Sequence, residues 1–167
     1  HNGRRFPTPW REFLGHSGIA NWNRANFDRK YEYGREDFDV LAEVDQVSGA
    51  CMMVPKHVMD KVGMLSEDFY MYYEEVEWCW RIRQAGYKVF YVADSRVVHH
   101  WMGSVRQVSH AMTARLFKSA LTYYQKTGTP LQRLAIRGVI LMGLAKYQII
   151  YLGVRVKRVL RGLKLIR

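Results

Sequence analysis

The chain has 167 residues, 49% of them hydrophobic and 14% aromatic, with 26 Lys and Arg against 15 Asp and Glu for a net charge of +11. That apolar content excludes a disordered tail, and the length allows one domain of ordinary size, or one domain with an appendage. Two cysteines, Cys51 and Cys79, are too few for a disulfide-stapled scaffold or a Cys-based zinc site.

The charge is divided by position. Residues 1–94 hold 12 Lys/Arg and all 15 acids, a net −3, whereas residues 95–167 hold 14 Lys/Arg and no acid, a net +14. A basic segment of this kind points to an anionic partner, a lipid surface or a nucleic acid. The chain begins at His1 with no Met and no secretory apolar stretch, and its first residues read as the middle of a longer polypeptide.

Residues 1–43 show no clean period. Pro7 and Pro9 exclude a helix interior, because proline lacks the N–H and restrains the residue before it. A long loop with a short helical piece around Trp10–Leu14 is predicted. Val44–Val47 alternates as a short strand, and with Ser48–Val54 it reads as a strand pair or as one strand with a glycine break. Pro55 suits the first position of a helix ending at Gly63, with Val58, Met59 and Val62 on one buried face. An aromatic loop, Leu65–Tyr73, leads to a helix predicted over Glu74–Ala85. There Val76, Cys79, Trp80 and Arg83 share a face, and the acids Glu74, Glu75 and Glu77 load the first turn. Tyr87–Val92 and Arg96–His100 read as strands. From Val105 the pattern is helical, and Thr129–Pro130, an N-cap followed by an N1 proline, divides it in two.

Three features bear on chemistry. Ser48–Gly49–Ala50 follows a strand, where a glycine lets the backbone approach a ligand. Glu74 and Glu75 are adjacent carboxylates at a helix start, and like charges raise one pKa toward that of a general base. His99 and His100 close a strand and are metal-ligand types. Singly, each has a plainer explanation: a turn, a complement to the helix dipole, and a histidine bonded to a carbonyl, since neighbouring strand residues point to opposite faces.

Together and in this order they resemble family 2 glycosyltransferases, especially the bacterial rhamnosyltransferase-like group. The resemblance rests on Val44–Pro55, on Gly63–Arg81 with its Tyr-Tyr-Glu-Glu-Val-Glu run, and on Gly86–Val92 followed by Val97–His100. It covers about Arg5 to Arg106. It implies an α/β fold class: residues 1–104 as the acceptor-side part of a GT-A domain with a few strands, followed by C-terminal helices in a basic, apolar tail at 105–167. It implies inverting transfer from a nucleotide-sugar donor, dTDP- or UDP-linked, to a saccharide or lipid-linked saccharide acceptor. Glu75 is then the catalytic base with Glu74 beside it, and Ser48, Gly49, Ala50, Tyr73 and Glu77 contact substrate. His99, or failing it His100, helps hold a divalent Mg or Mn ion on the donor diphosphate.

Two departures stand out. The family's Glu-Asp-x-Asp is Glu74-Glu75-x-Glu77 here; each Glu is one methylene longer, and catalytic geometry tolerates little misplacement. The nucleotide-binding half with its Asp-x-Asp metal motif is expected upstream. Asp37-Phe38-Asp39 has the letters but lies in a polar loop and in the wrong order. The chain is therefore expected to be a piece that is inactive alone.

In the tail, Val139–Ala145 and Gln148–Leu152 form an apolar stretch broken by Lys146. A span needs about 20 apolar residues, so a peripheral helix at the cytoplasmic face of a bacterial plasma membrane is expected, without nucleic acid as a partner. The competing readings are a non-catalytic acceptor- or membrane-binding module and a basic nucleic-acid-binding protein.

Overall fold

A computed structural model describes residues 3–22, 40–98 and 109–162. Over these residues the fold is mixed α/β, with two small antiparallel sheets and long C-terminal helices.

Strand β1 (Gly3–Arg4) enters helix α1 (Pro9–Ser17) through Thr8, whose Oγ1 accepts the Arg11 N–H at 3.2 Å. Pro9 occupies the first turn, where its missing N–H costs nothing. The helical piece expected at Trp10–Leu14 thus runs on to Ser17. Gly18, at φ 90°, ends it, and α2 (Ile19–Trp22) follows.

The strand expected over Val44–Val47 is two strands. β2 (Ala42–Val44) pairs antiparallel with β4 (Val89–Tyr91), with Val44 opposite Val89. β3 (Gln46–Val47) pairs with β1, with Gly3 opposite Val47. The chain changes partner at Asp45, whose Oδ2 accepts the Phe6 N–H at 3.0 Å and so satisfies a backbone donor at the junction. Ser48–Val54 carries no strand, and neither does Arg96–Val98; Val97 and Val98 are largely exposed and have no strand partner among the described residues.

Helix α3 (Lys56–Val62) begins one residue later than expected: Pro55 is its extended cap. Helix α4 (Glu74–Gln84) buries Val76, Glu77, Trp78, Cys79 and Ile82. This is a wider face than the expected Val76–Cys79–Trp80–Arg83, because α4 lies between two apolar cores. Val76 joins Phe69, Phe117, Tyr123, Tyr124 and Ile136 on one side. Trp78, Cys79 and Ile82 join Val44, Val58 and Val89 on the other. Arg83 instead reaches the Val44 carbonyl at 3.1 Å and Glu43 at 3.2 Å.

Helices α5 (Ser109–Thr127) and α6 (Pro130–Gly162) form an antiparallel pair. The expected Thr129 cap is present as a reciprocal box: the Gln132 N–H reaches Thr129 Oγ1 at 3.3 Å, and the Thr129 N–H reaches Gln132 Oε1 at 2.8 Å. The two helices come close at Gly143, where a Cβ would stand 3.0 Å from the Phe117 ring. Lys146 donates to the carbonyls of His16 and Ser17 at 3.0 and 3.2 Å, which ties α6 to the C-terminus of α1. The cation suits the negative end of that helix.

Candidate active site

The Ser48–Ala50 turn follows β3 directly. Ser48 Oγ accepts the Ala50 N–H at 3.3 Å, which tightens the turn. Gly49 sits at its exposed tip, against the first turn of α4. A Cβ on Gly49 would lie 3.6 Å from Glu75 Cβ and 3.9 Å from Glu75 Cδ. Two segments far apart in sequence, the small-residue turn and the acidic run, therefore border one spot. The link between them is the packing of β3 on α4, with the Val47 backbone set over Cys79.

Glu75 is largely desolvated there, and burial raises its carboxyl above the ordinary value. The charge of Glu74 pushes the same way, while the backbone N–H groups of Glu75 and Gly49 and the Arg4 guanidinium oppose it. One carboxylate oxygen each of Glu74 and Glu75, Oε2, is buried without a hydrogen-bond partner among the described residues. Such orphans are rare and usually mark a ligand, water or reaction site. Directly beneath, Cys79 is fully buried, and burial drives its thiol up to about 11. It packs as an inert hydrophobe.

The residues leading into α4 are strained. Tyr72 and Tyr73 have φ of 69° and 67°, a region that costs a side-chain-bearing residue about 1–3 kcal/mol and persists only where the surroundings enforce it. Several contacts do so. Ser119 Oγ donates to the Met71 carbonyl at 2.7 Å. The Tyr73 hydroxyl donates to Glu12 Oε1 at 2.9 Å, and its ring lies 5.4 Å from that of Tyr123. The Tyr73 carbonyl accepts the Glu77 N–H at 2.9 Å. Burial pushes the Tyr73 phenol well above its usual range, so it stays protonated and remains a donor.

Glu77 points away from Glu75 chemistry. It is 3% exposed and holds Arg81 Nε with both oxygens, at 2.8 and 3.0 Å. Arg81 also donates to the carbonyls of Val62 and Met64, tying the end of α3 to α4. Trp78 Nε1 adds a 2.8 Å bond to the Gly63 carbonyl.

The structure therefore brings Ser48, Gly49, Ala50, Glu74 and Glu75 to one place. Tyr73 and Glu77 sit behind them, each held by a protein partner. His99, His100 and Asp37-Phe38-Asp39 lie outside the described residues. Among the described residues no group of three His, Cys, Asp or Glu side chains is placed to hold a metal ion. Sequence reasoning missed Arg4, which β1 carries to the Glu75 side, and the strained Tyr72–Tyr73 pair. The Arg4 placement follows from strand pairing, and no glycine or asparagine marks the positive φ.

No family model matches the chain, and no solved structure does. Two kinds of characterised protein are similar over short stretches. A low-salt glycan biosynthesis hexosyltransferase of Haloferax volcanii is 48% identical over 44 residues, 26% of this chain and 14% of that protein. The N-acetylglucosaminyl-diphospho-decaprenol L-rhamnosyltransferase of Mycobacterium tuberculosis is 35% identical over 57 residues, 34% of this chain and 19% of that protein. Both relatives are sugar transferases, and the chain matches less than a fifth of the length of either.

Proposed function

We propose that the chain is the acceptor-side part of an inverting, rhamnosyltransferase-like glycosyltransferase of the GT-A type, with Glu75 as the general base. The observation that carries this reading is the junction of Gly49 and Glu75. The glycine at the tip of a turn meets a desolvated carboxyl, one oxygen of which has no hydrogen-bond partner among the described residues. Gly49 is exposed at the tip of its turn, so an acceptor sugar would approach the carboxyl across a residue with no side chain. In the step proposed, Glu75 takes the acceptor hydroxyl proton, the hydroxyl oxygen bonds to the donor C1, and the C1–O bond to the nucleoside diphosphate breaks. A carboxyl raised toward neutrality is the better proton acceptor, and such a base contributes about 10²–10⁴ in rate.

Burial holds the Glu75 carboxyl high and the charge of Glu74 adds to it, and Ser48 and Ala50 shape the acceptor side. Tyr73 and Glu77 act from behind, fixing the strained entry to α4 and its grip on the α3 end. The donor is a dTDP- or UDP-sugar, and the acceptor is a saccharide or lipid-linked saccharide at the cytoplasmic face of a bacterial membrane. Residues 1–104 form the acceptor-side unit and 105–167 a peripheral membrane tail. A divalent metal on the diphosphate, with His99 or His100 as its ligand, belongs to this reading as an expectation. The described residues supply no ligand set for it.

The test is sugar transfer from dTDP- and UDP-sugars to a lipid-linked saccharide by the complete enzyme carrying this chain. Wild type is expected to transfer, and Glu75→Gln to lose turnover while still binding donor. Near-wild-type turnover in Glu75→Gln removes Glu75 from the mechanism.

A further inference from the structure

Helix α6 has two apolar sides. One carries Ile136, Val139, Ile140 and Gly143, all buried against the rest of the protein. The other carries Leu134, Leu141, Ile149, Leu152 and Val156, which are 55–70% exposed. At 3.6 residues per turn these five fall within an arc of about 80° and extend about 33 Å along the helix. Arg133, Arg137 and Arg155 are exposed along one border of this stripe. Lys146, on the other border, is turned to the α1 carbonyls.

We infer that this stripe is a docking surface for an anionic lipid bilayer, on which α6 lies in the plane of the interface. The inference rests on the peripheral membrane placement proposed above and names the surface responsible for it. Scattered exposed leucines need no explanation, but a continuous stripe on one helix does. The charge around it selects the occupant: residues 95–167 carry 14 Lys/Arg and no acid, which complements anionic headgroups. A second copy of the chain, packed stripe to stripe, would bring the arginine borders of two helices together. A nucleic acid would leave the leucines in water.

Orientation follows from the same contacts. Pro130–Gly153 is long and apolar enough to cross a membrane, at a mean hydropathy of 1.3. Crossing, however, would carry into hydrocarbon whatever packs on the Ile136–Gly143 side, including α1 with Arg11, Glu12 and His16. It would also place Arg137 and Lys146 inside the span rather than at its ends, where cations are costly. Lying flat leaves those contacts intact and buries only the stripe.

Flotation of the purified full chain with vesicles of phosphatidylcholine alone, and of phosphatidylcholine with phosphatidylglycerol, tests this. Binding is expected only to the anionic vesicles, with release by about 1 M salt and by alkaline carbonate. Leu141→Glu/Leu152→Glu is expected to weaken binding at least about tenfold, with an unchanged melting temperature because both residues are exposed. Arg137→Glu/Arg155→Glu is expected to weaken it by a similar factor. Anionic binding unaffected by either double variant overturns the stripe while leaving peripheral attachment standing. No flotation on any vesicle overturns both. Resistance to carbonate overturns the in-plane orientation in favour of a span. A wild-type dimer that Leu141→Glu/Leu152→Glu dissolves gives the stripe to a second copy.

Discussion

Helix α4 buries carboxylates, whereas helix α6 leaves leucines in the open. On α4, Glu77 is 3% exposed and Glu75 carries a buried oxygen with no partner among the described residues. On α6, Leu134 and Leu141 are each 67% exposed. Each helix departs from the usual partition of side chains, and in opposite directions. Within α4 a further distinction holds. The Glu77 carboxylate is fully engaged by Arg81, so its burial is structural, while the Glu75 carboxyl is desolvated with one of its oxygens left without a partner among the described residues. Buried charge that is paired holds a fold together; buried charge left unsatisfied is available for chemistry.

The sharpest stability test of that distinction is Arg81→Met. It strands the Glu77 carboxylate in the core and frees the Val62 and Met64 carbonyls. A loss of about 3 kcal/mol is expected in denaturant unfolding, the lower end for a broken buried pair. A loss comparable to that of an exposed pair would mean that the Glu77–Arg81 contact is not structural. Lys146→Met should cost about 1 kcal/mol, by removing two hydrogen bonds to the end of α1. Amide exchange should quicken in α1 while α4 stays protected. Tyr73→Phe should cost a similar or slightly smaller amount through loss of the bond to Glu12, read by thermal unfolding.

The smallest effect has the opposite sign. Burial raises the Glu75 carboxyl, so its contribution to stability is complete below the ordinary value of 4.5 and is lost as pH rises through the higher folded value. Glu75→Gln carries no charge to desolvate. It is expected to melt above wild type at about pH 7, with the gain disappearing by about pH 4. A gain independent of pH would show that the charge of Glu75 is not what the fold resists.

Much of this was legible from residue order. The Thr129–Pro130 cap, the glycine stop at Gly63 and the acid-loaded start of α4 are local signals, and local signals survive folding. The Gly49–Glu75 junction was legible only as a resemblance between motifs, because strand pairing and helix packing bring those segments together. The split at Asp45 was hidden because Val44 and Gln46 alternate as one strand would; only the partners differ. The width of the α4 face was underestimated because a single apolar stripe presumes one core, and α4 lies between two. Lys146 reads in sequence as a break in an apolar run, and in the fold it is a helix cap.

Glu75 is proposed as the base, and its neighbour Glu74 is not. Comparing Glu75→Gln with Glu74→Gln in the complete enzyme separates the two, with donor binding measured by calorimetry beside turnover. The expected result is donor affinity unchanged in both, turnover reduced about 10²–10⁴-fold in Glu75→Gln, and a much smaller loss in Glu74→Gln. A larger loss in Glu74→Gln, or equal losses accompanied by weakened donor binding in both, would contradict it.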